Sequence, residues 1–138
     1  MQKLLTISIS ILFSIGLYAQ QNVYSGSDAN LEYNVTVEKI TDEVNDQFYD
    51  YYSIEIKNTS NTSVTFTPSF LYTTANGEEK KSSIDNDASS VTLAPGETVK
   101  GDISDHYHLT LFKEFQVGNS GKKSGNEVYT LKSVSINY

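Results

Sequence analysis

The chain has 138 residues and a formal net charge of −7, with ten lysines, 17 acids, no arginine and no cysteine. Without cysteine there is no disulfide framework and no lipid-modified leader. Without arginine, an acidic chain is a poor match for nucleic acid or for an anionic membrane surface.

Lys3 gives a short positive start, and Leu4 to Leu17 is apolar or small and uncharged. That run of about 14 residues is short for a bilayer span, which needs roughly 20. With Ala19 at a cleavage position it has the layout of a secretory signal peptide over residues 1–19. Leu17 stands where a peptidase favours a small residue, so a retained N-terminal anchor is the other reading. Residues 20–138 then form one domain of a usual size, with nine lysines against 17 acids and a charge of −8. That charge most simply keeps an exported, secreted or periplasmic protein dispersed.

Period-two alternation runs through the rest of the chain. "LEYNVTVEKI" places Leu31, Tyr33, Val35 and Val37 on one face, which predicts a half-buried strand. An acidic loop, Asp42 to Asp46, follows. "YYSIEIKN" then turns Tyr52, Ile54 and Ile56 inward, with Phe48 before the strand proper. Tyr49 and Tyr51 have the other parity and are expected on the solvated face beside Asp50. "NTSNTS" is a polar turn, and "VTFT" returns with Val64 and Phe66 inward. Asn76-Gly77 predicts a two-residue hairpin turn, with Ile84 in a short return strand guarded by Lys80 and Lys81. "VTLAPGETVKGDI" reads as strand, Pro95-Gly96 turn, strand. "LTLFKEFQV" has apolar residues on both parities and is read as a strand, with a short helix as the alternative. In "EVYTLKSVSINY" the parity changes midway, which a bulge near Lys132 or Ser133 would reconcile.

Seven or eight short, evenly spaced strands predict an all-β, antiparallel, immunoglobulin-like β-sandwich. "YYSIEIKNTSNTSVTFTPSFLY" and "LAPGETVKGDI" resemble a pattern in exported bacterial immunoglobulin-fold modules, including telokin-like domains of unknown function. The resemblance rests on Asn58, Thr59, Ser60, Leu93, Pro95, Gly96, Glu97 and Gly101 and covers about half of the processed chain. Bacterial proteinase inhibitors of the same fold look similar in these stretches. What the resemblance implies is a fold and an exported setting, with no catalytic residue carried over.

Three candidate sites follow. Tyr49 and Tyr51, with Asp50, offer flat rings, hydroxyls and a carboxylate to a protein or a sugar, or else only pair across strands. His106 and His108 at spacing two on a strand would share a side, where Asp105 or Asp102 adds an oxygen ligand for zinc or copper; a polar loop is the plainer reading. The acidic stretches "TDEVNDQFYD" and "SIDNDASS" lack the pattern of a calcium loop. Sequons at Asn34, Asn58 and Asn61 read as turn and strand residues, because the leader and the lysine-only basic composition have a bacterial character. The expectation is a non-enzymatic module with no cofactor, binding an envelope or extracellular protein or glycan. The alternatives are a proteinase inhibitor presenting "TANGEEKK" or "VGNSGKKSG", with Lys80, Lys81, Lys122 and Lys123 toward a trypsin-like pocket, and a small carbohydrate-binding module.

Overall fold

In the computed structural model, which describes residues 22–82, 90–117 and 122–138, the alternating segments pair into two antiparallel sheets. The strands in chain order are β1 (Asn22–Ser27), β2 (Leu31–Asp42), β3 (Gln47–Asn58), β4 (Val64–Thr73), β5 (Glu79–Ser82), β6 (Val91–Leu93), β7 (Thr98–Lys100), β8 (Thr110–Val117), β9 (Lys122–Val128) and β10 (Thr130–Asn137). One 3-10 turn, Tyr107–Leu109, precedes β8. The larger sheet runs β1-β2-β3-β8-β9 and curls as half a barrel. In the smaller sheet β4 lies between β10 and β5, and its first residues pair β6. Since β2 covers one whole edge of β3, β7 and β8 share the other edge in succession. The segment between them, residues 101–109, is an excursion from that edge.

The core is where the alternation puts it. Leu31 and Val35 of β2, Tyr52, Ile54 and Ile56 of β3 and Val64, Phe66 and Phe70 of β4 are buried together with Leu93, Leu109, Leu111 and Val134. Each such side chain contributes on the order of 1.5–3 kcal/mol through burial, which is what a chain without disulfides must rely on. Tyr52 also donates its hydroxyl to the Tyr129 carbonyl at 3.1 Å, so its one polar group is answered inside.

The sequence reading and the structure differ in local geometry at three points. β1 was not expected; it is held by a ladder to β2 and by Tyr24 stacked on Tyr33, with ring centroids 6.3 Å apart. β3 begins at Gln47, so Phe48 lies within the strand and is buried. The β4–β5 connection is a three-residue loop, not a two-residue one. The Gly77 N–H donates to the Thr74 carbonyl, the Thr74 N–H donates to the Glu78 carbonyl, and Gly77 takes φ 82°. Only the glycine takes a positive φ there, the arrangement of a type I turn closed by a left-handed residue. Ile84 and "SIDNDASS" up to Ser89 lie outside the described residues.

Two bulges set the register of the remaining strands. The shift between Leu131 and Ser133 leaves Lys132 as the extra residue against β4, as the parity change predicts. The second lies in β8. Its register against β3 shifts between Asp50–Glu114 and Tyr51–Phe112, so Lys113 is unmatched. This bulge explains the mixed parity of "LTLFKEFQV": Leu111 and Glu114 are both buried although three residues apart.

Candidate functional site

The β8 bulge also builds the most distinctive surface of the molecule. On a regular strand, residues three apart point to opposite faces. With Lys113 inserted, Phe112 and Phe115 come to the same face, opposite Tyr51 and Tyr49 of β3. The cross-strand rows on this outer face are Ile40–Tyr49–Phe115 and Glu38–Tyr51–Phe112. Tyr49 lies 6.4 Å from Tyr51, 6.2 Å from Phe112 and 5.9 Å from Phe115, measured between ring centroids. Phe112 and Phe115 are 4.6 Å apart. The ring planes are tilted by 39° to 69° in these four pairs, so the rings wall a notch and do not form a flat platform.

The resulting cleft has a volume of about 420 Å³ and is lined by Gln47, Tyr49, Tyr51, Ile103, Thr110, Phe112 and Phe115. Ile103 comes from the 101–109 excursion, which the Gly101 N–H anchors by donating to the Ile54 carbonyl at 2.9 Å. The Ser53 hydroxyl donates to the Gly101 carbonyl at 2.7 Å. Tyr51 is covered by its neighbours to 8 % exposure, whereas Phe115 is 43 % exposed. Tyr49 and Tyr51 thus share the outer face, as parity requires, but Tyr51 is buried there beneath a ring cluster. Its hydroxyl pKa is raised, first by burial and then by the negative charges of Glu38 and Asp102.

Asp50 does not belong to this cluster. Alternation sends it to the opposite face, across from Glu114, where its Oδ2 accepts from Gln116 Nε2 at 3.2 Å. Glu114 is 2 % exposed and paired with Lys113. The expectation of a carboxylate beside the two tyrosines is therefore corrected. The nearest carboxylate row to Tyr51 is Glu38 of β2, which Lys100 Nζ meets at 2.8 Å.

His106 and His108 do not lie on a strand. They flank Tyr107 at the 3-10 turn, because the chain must loop out between β7 and β8 and return with Leu109 buried. The His106 N–H donates to the Asp102 carbonyl, and the two imidazoles are 6.0 Å apart at 90°. Burial, and then His106, lowers the pKa of His108. Asp105 is exposed. Among the described residues no group of three or more His, Cys, Asp or Glu side chains is placed to hold a metal ion.

The lysines proposed for a protease-facing loop are placed differently from one another. Lys80 and Lys81 lie in the β5 ladder against Tyr72 and Leu71, not in a protruding loop. Lys122 and Lys123 open β9 against Val117 and Gln116, and the loop before them lies outside the described residues. Of the sequons, Asn58 is fully buried and structural. Asp42 spends its carboxylate on the N–H groups of Val44 and Asn45, at 3.0 and 3.1 Å. A second recess, of about 450 Å³ along β1, is lined by polar groups including Glu32, Asn34, Glu55 and Lys57. Lys57 and Glu32 face each other within it at 3.8 Å.

No family model and no curated protein matches the chain. The solved structures similar to it include the crystal structure of a Bordetella pertussis protein described as ApaA, at 16 % identity over 78 % of this chain and 92 % of that one, with a TM-score of 0.38. A second is the X-ray structure of a structural-genomics target, SoR45, at 14 % identity over 81 % of this chain and 88 % of that one, with a TM-score of 0.40. Among the described residues no helix is long and apolar enough to cross a membrane.

Proposed function

We propose that this chain is an exported, non-enzymatic interaction module that binds a partner protein through the aromatic cleft between β3 and β8. The observation that carries the reading is the contiguous outward cluster of Tyr49, Tyr51, Phe112 and Phe115 around a cleft of about 420 Å³. Aromatic groups of this kind dominate the centres of protein interfaces, because each buries a large flat area at small entropic cost. A partly exposed ring cluster that the fold itself does not cover is costly to keep unless something else covers it. The leader-like N-terminus supports export, and the charge supports a dispersed extracytoplasmic protein.

The finer architecture belongs to the same proposal. β2 and β3 form a hairpin in one sheet, β4 crosses to the other, β7 returns to β3 and β10 returns to β4. That alternation between sheets supports an immunoglobulin-like sandwich, with the Asn58 and Pro95-Gly96 segments as its shared turn chemistry.

The test is capture of an envelope or extracellular protein by the wild type and by Phe115→Ala and Tyr49→Ala. Loss of the same partner in both variants, with unfolding curves unchanged, supports the reading. A partner held equally by all three contradicts it.

A further inference from the structure

One wall of the aromatic cleft is carried by a loop that closes over a histidine. We infer that residues 101–109 form an acid-sensitive flap: protonation of His108 releases the excursion and withdraws Ile103 from the wall of the cleft. The inference rests on the proposed function in taking that cleft as the partner site, and it names how the site is regulated.

Three observations converge on it. The first is an orphaned atom. His108 is half-buried, and its Nε2 is closed to solvent with no hydrogen-bond partner among the described residues. A neutral imidazole can leave that nitrogen as a bare acceptor. A proton there adds a charge and an N–H with nothing to receive it, which costs far more. The second is the surrounding charge. The 3-10 turn packs on β3 and β8. On β3, Tyr51 is a phenol held neutral, and Glu55 stands opposite Lys100 of β7, which itself meets Glu38. On β8, Lys113 and Glu114 pair with each other. On the excursion, Asp102 accepts from the Ser104 N–H and responds to His106, and Asp105 is exposed. Burial first, and then the charge of His106 at 6.0 Å between rings, oppose a proton on His108. The third is the stem. The Gly101 N–H is bonded to β3, Leu109 is fully buried, and a Cβ on Gly101 would lie 2.3 Å from the Leu109 carbonyl oxygen. Between these fixed ends the loop is braced from within, by the His106 N–H on the Asp102 carbonyl at 2.9 Å. His108 and Ile103 share this loop, so turning His108 out to water lifts Ile103 while the stem stays. A histidine held neutral by the fold contributes stability that is complete above its ordinary value of 6.5 and is lost as pH falls below it.

The experiment follows the purified protein by NMR from about pH 7.5 to about 5, above the range of ordinary carboxylates. It records the ring titration of His108, the Ile103 methyl resonances and the exchange protection of backbone amides. The expected result is that His108 titrates below an exposed histidine, and that the Ile103 methyls and the His106 amide change with the same midpoint. Protection of that amide should fall about tenfold for each pH unit between the His108 midpoint and that of an exposed histidine. Protection of the Gly101 amide should hold, because the stem stays closed. His108→Gln, which takes no charge, should keep Ile103 and the His106 amide constant across the range. His106→Gln removes the opposing charge and should move the transition to higher pH. An Ile103 that stays still while His108 titrates overturns the flap, and that comparison needs no variant. An Ile103 that moves equally in His108→Gln overturns it too, as does joint loss of the Gly101 and His106 amides, which is unfolding of the whole. None of these readouts uses the partner, so capture by the Phe115 and Tyr49 variants at neutral pH decides the wider reading separately.

Discussion

The two ends of β3 are built to opposite rules. At its last residue, Asn58 is fully buried and every polar group it has is answered. Its Nδ2 donates to the carbonyls of Thr62 and Leu93 at 2.8 and 3.0 Å, and its Oδ1 accepts from the Ser60 N–H and hydroxyl at 2.9 and 2.8 Å. Its own N–H donates to the Glu97 carbonyl, and its carbonyl accepts from Gly96, both at 2.9 Å. At the other end, Tyr49 and Tyr51 meet Phe112 and Phe115 in a cluster made of rings and open on one side. A buried amide with all partners in place is structural polar chemistry, since losing any partner is costly. A ring cluster left open is surface that packing inside the chain has not used. On the proposed function, the contrast separates the part of β3 that holds the fold from the part offered to a partner.

Breaking the closed end should have the largest effect. Asn58→Leu leaves the Thr62 and Leu93 carbonyls and the Ser60 amide without their partner. It is expected to cost about 3 kcal/mol in urea unfolding, with partner affinity of the folded fraction unchanged. Gly101→Ala comes next, at about 2 kcal/mol. A Cβ there would lie 2.3 Å from the Leu109 carbonyl oxygen, and backbone must move to admit it. Gly96→Ala should cost about 1 kcal/mol, because Gly96 takes φ 77° in the Pro95-Gly96 turn. At the open end, Phe115→Ala should change stability by no more than about 0.5 kcal/mol while abolishing partner capture.

A smaller effect sharpens the comparison at a third place, the clasp between the sheets. Tyr138 donates its hydroxyl to Asp28 of the β1–β2 turn. Its pKa is pushed up to about 12, first by burial and then by that bond. A folded-state pKa raised above the ordinary value near 10 contributes stability that is complete below pH 10 and is lost as pH rises through 12. The urea midpoint of the wild type should therefore fall over that window, and Tyr138→Phe should flatten the fall.

The sequence made the closed end readable because turn chemistry is local. Pro95-Gly96 and "NTSN" announce their geometry within a few residues, and the structure brings both to Asn58. The inward parity of Leu31, Val35, Tyr52, Ile54 and Ile56 was readable for the same reason. The open end was half readable. Tyr49 and Tyr51 were singled out by parity, but Phe112 and Phe115 fall on opposite parities and were not joined to them. The signal was the unresolved alternation of "LTLFKEFQV"; one extra residue at Lys113 resolves it and unites four rings from two strands. Asp50 neighbours the two tyrosines in sequence, but alternation sends its side chain through the sheet. The histidines lie in a polar loop entering β8, the plainer of the two readings, because two strands sharing one edge of β3 force the chain out between them.

The most direct test of the separation is one paired measurement on Phe115→Ala: its urea midpoint and its partner affinity, each against the wild type. The account predicts an unchanged midpoint and lost binding. A lowered midpoint with binding retained by the folded fraction would make the ring cluster part of the fold's own packing and contradict it.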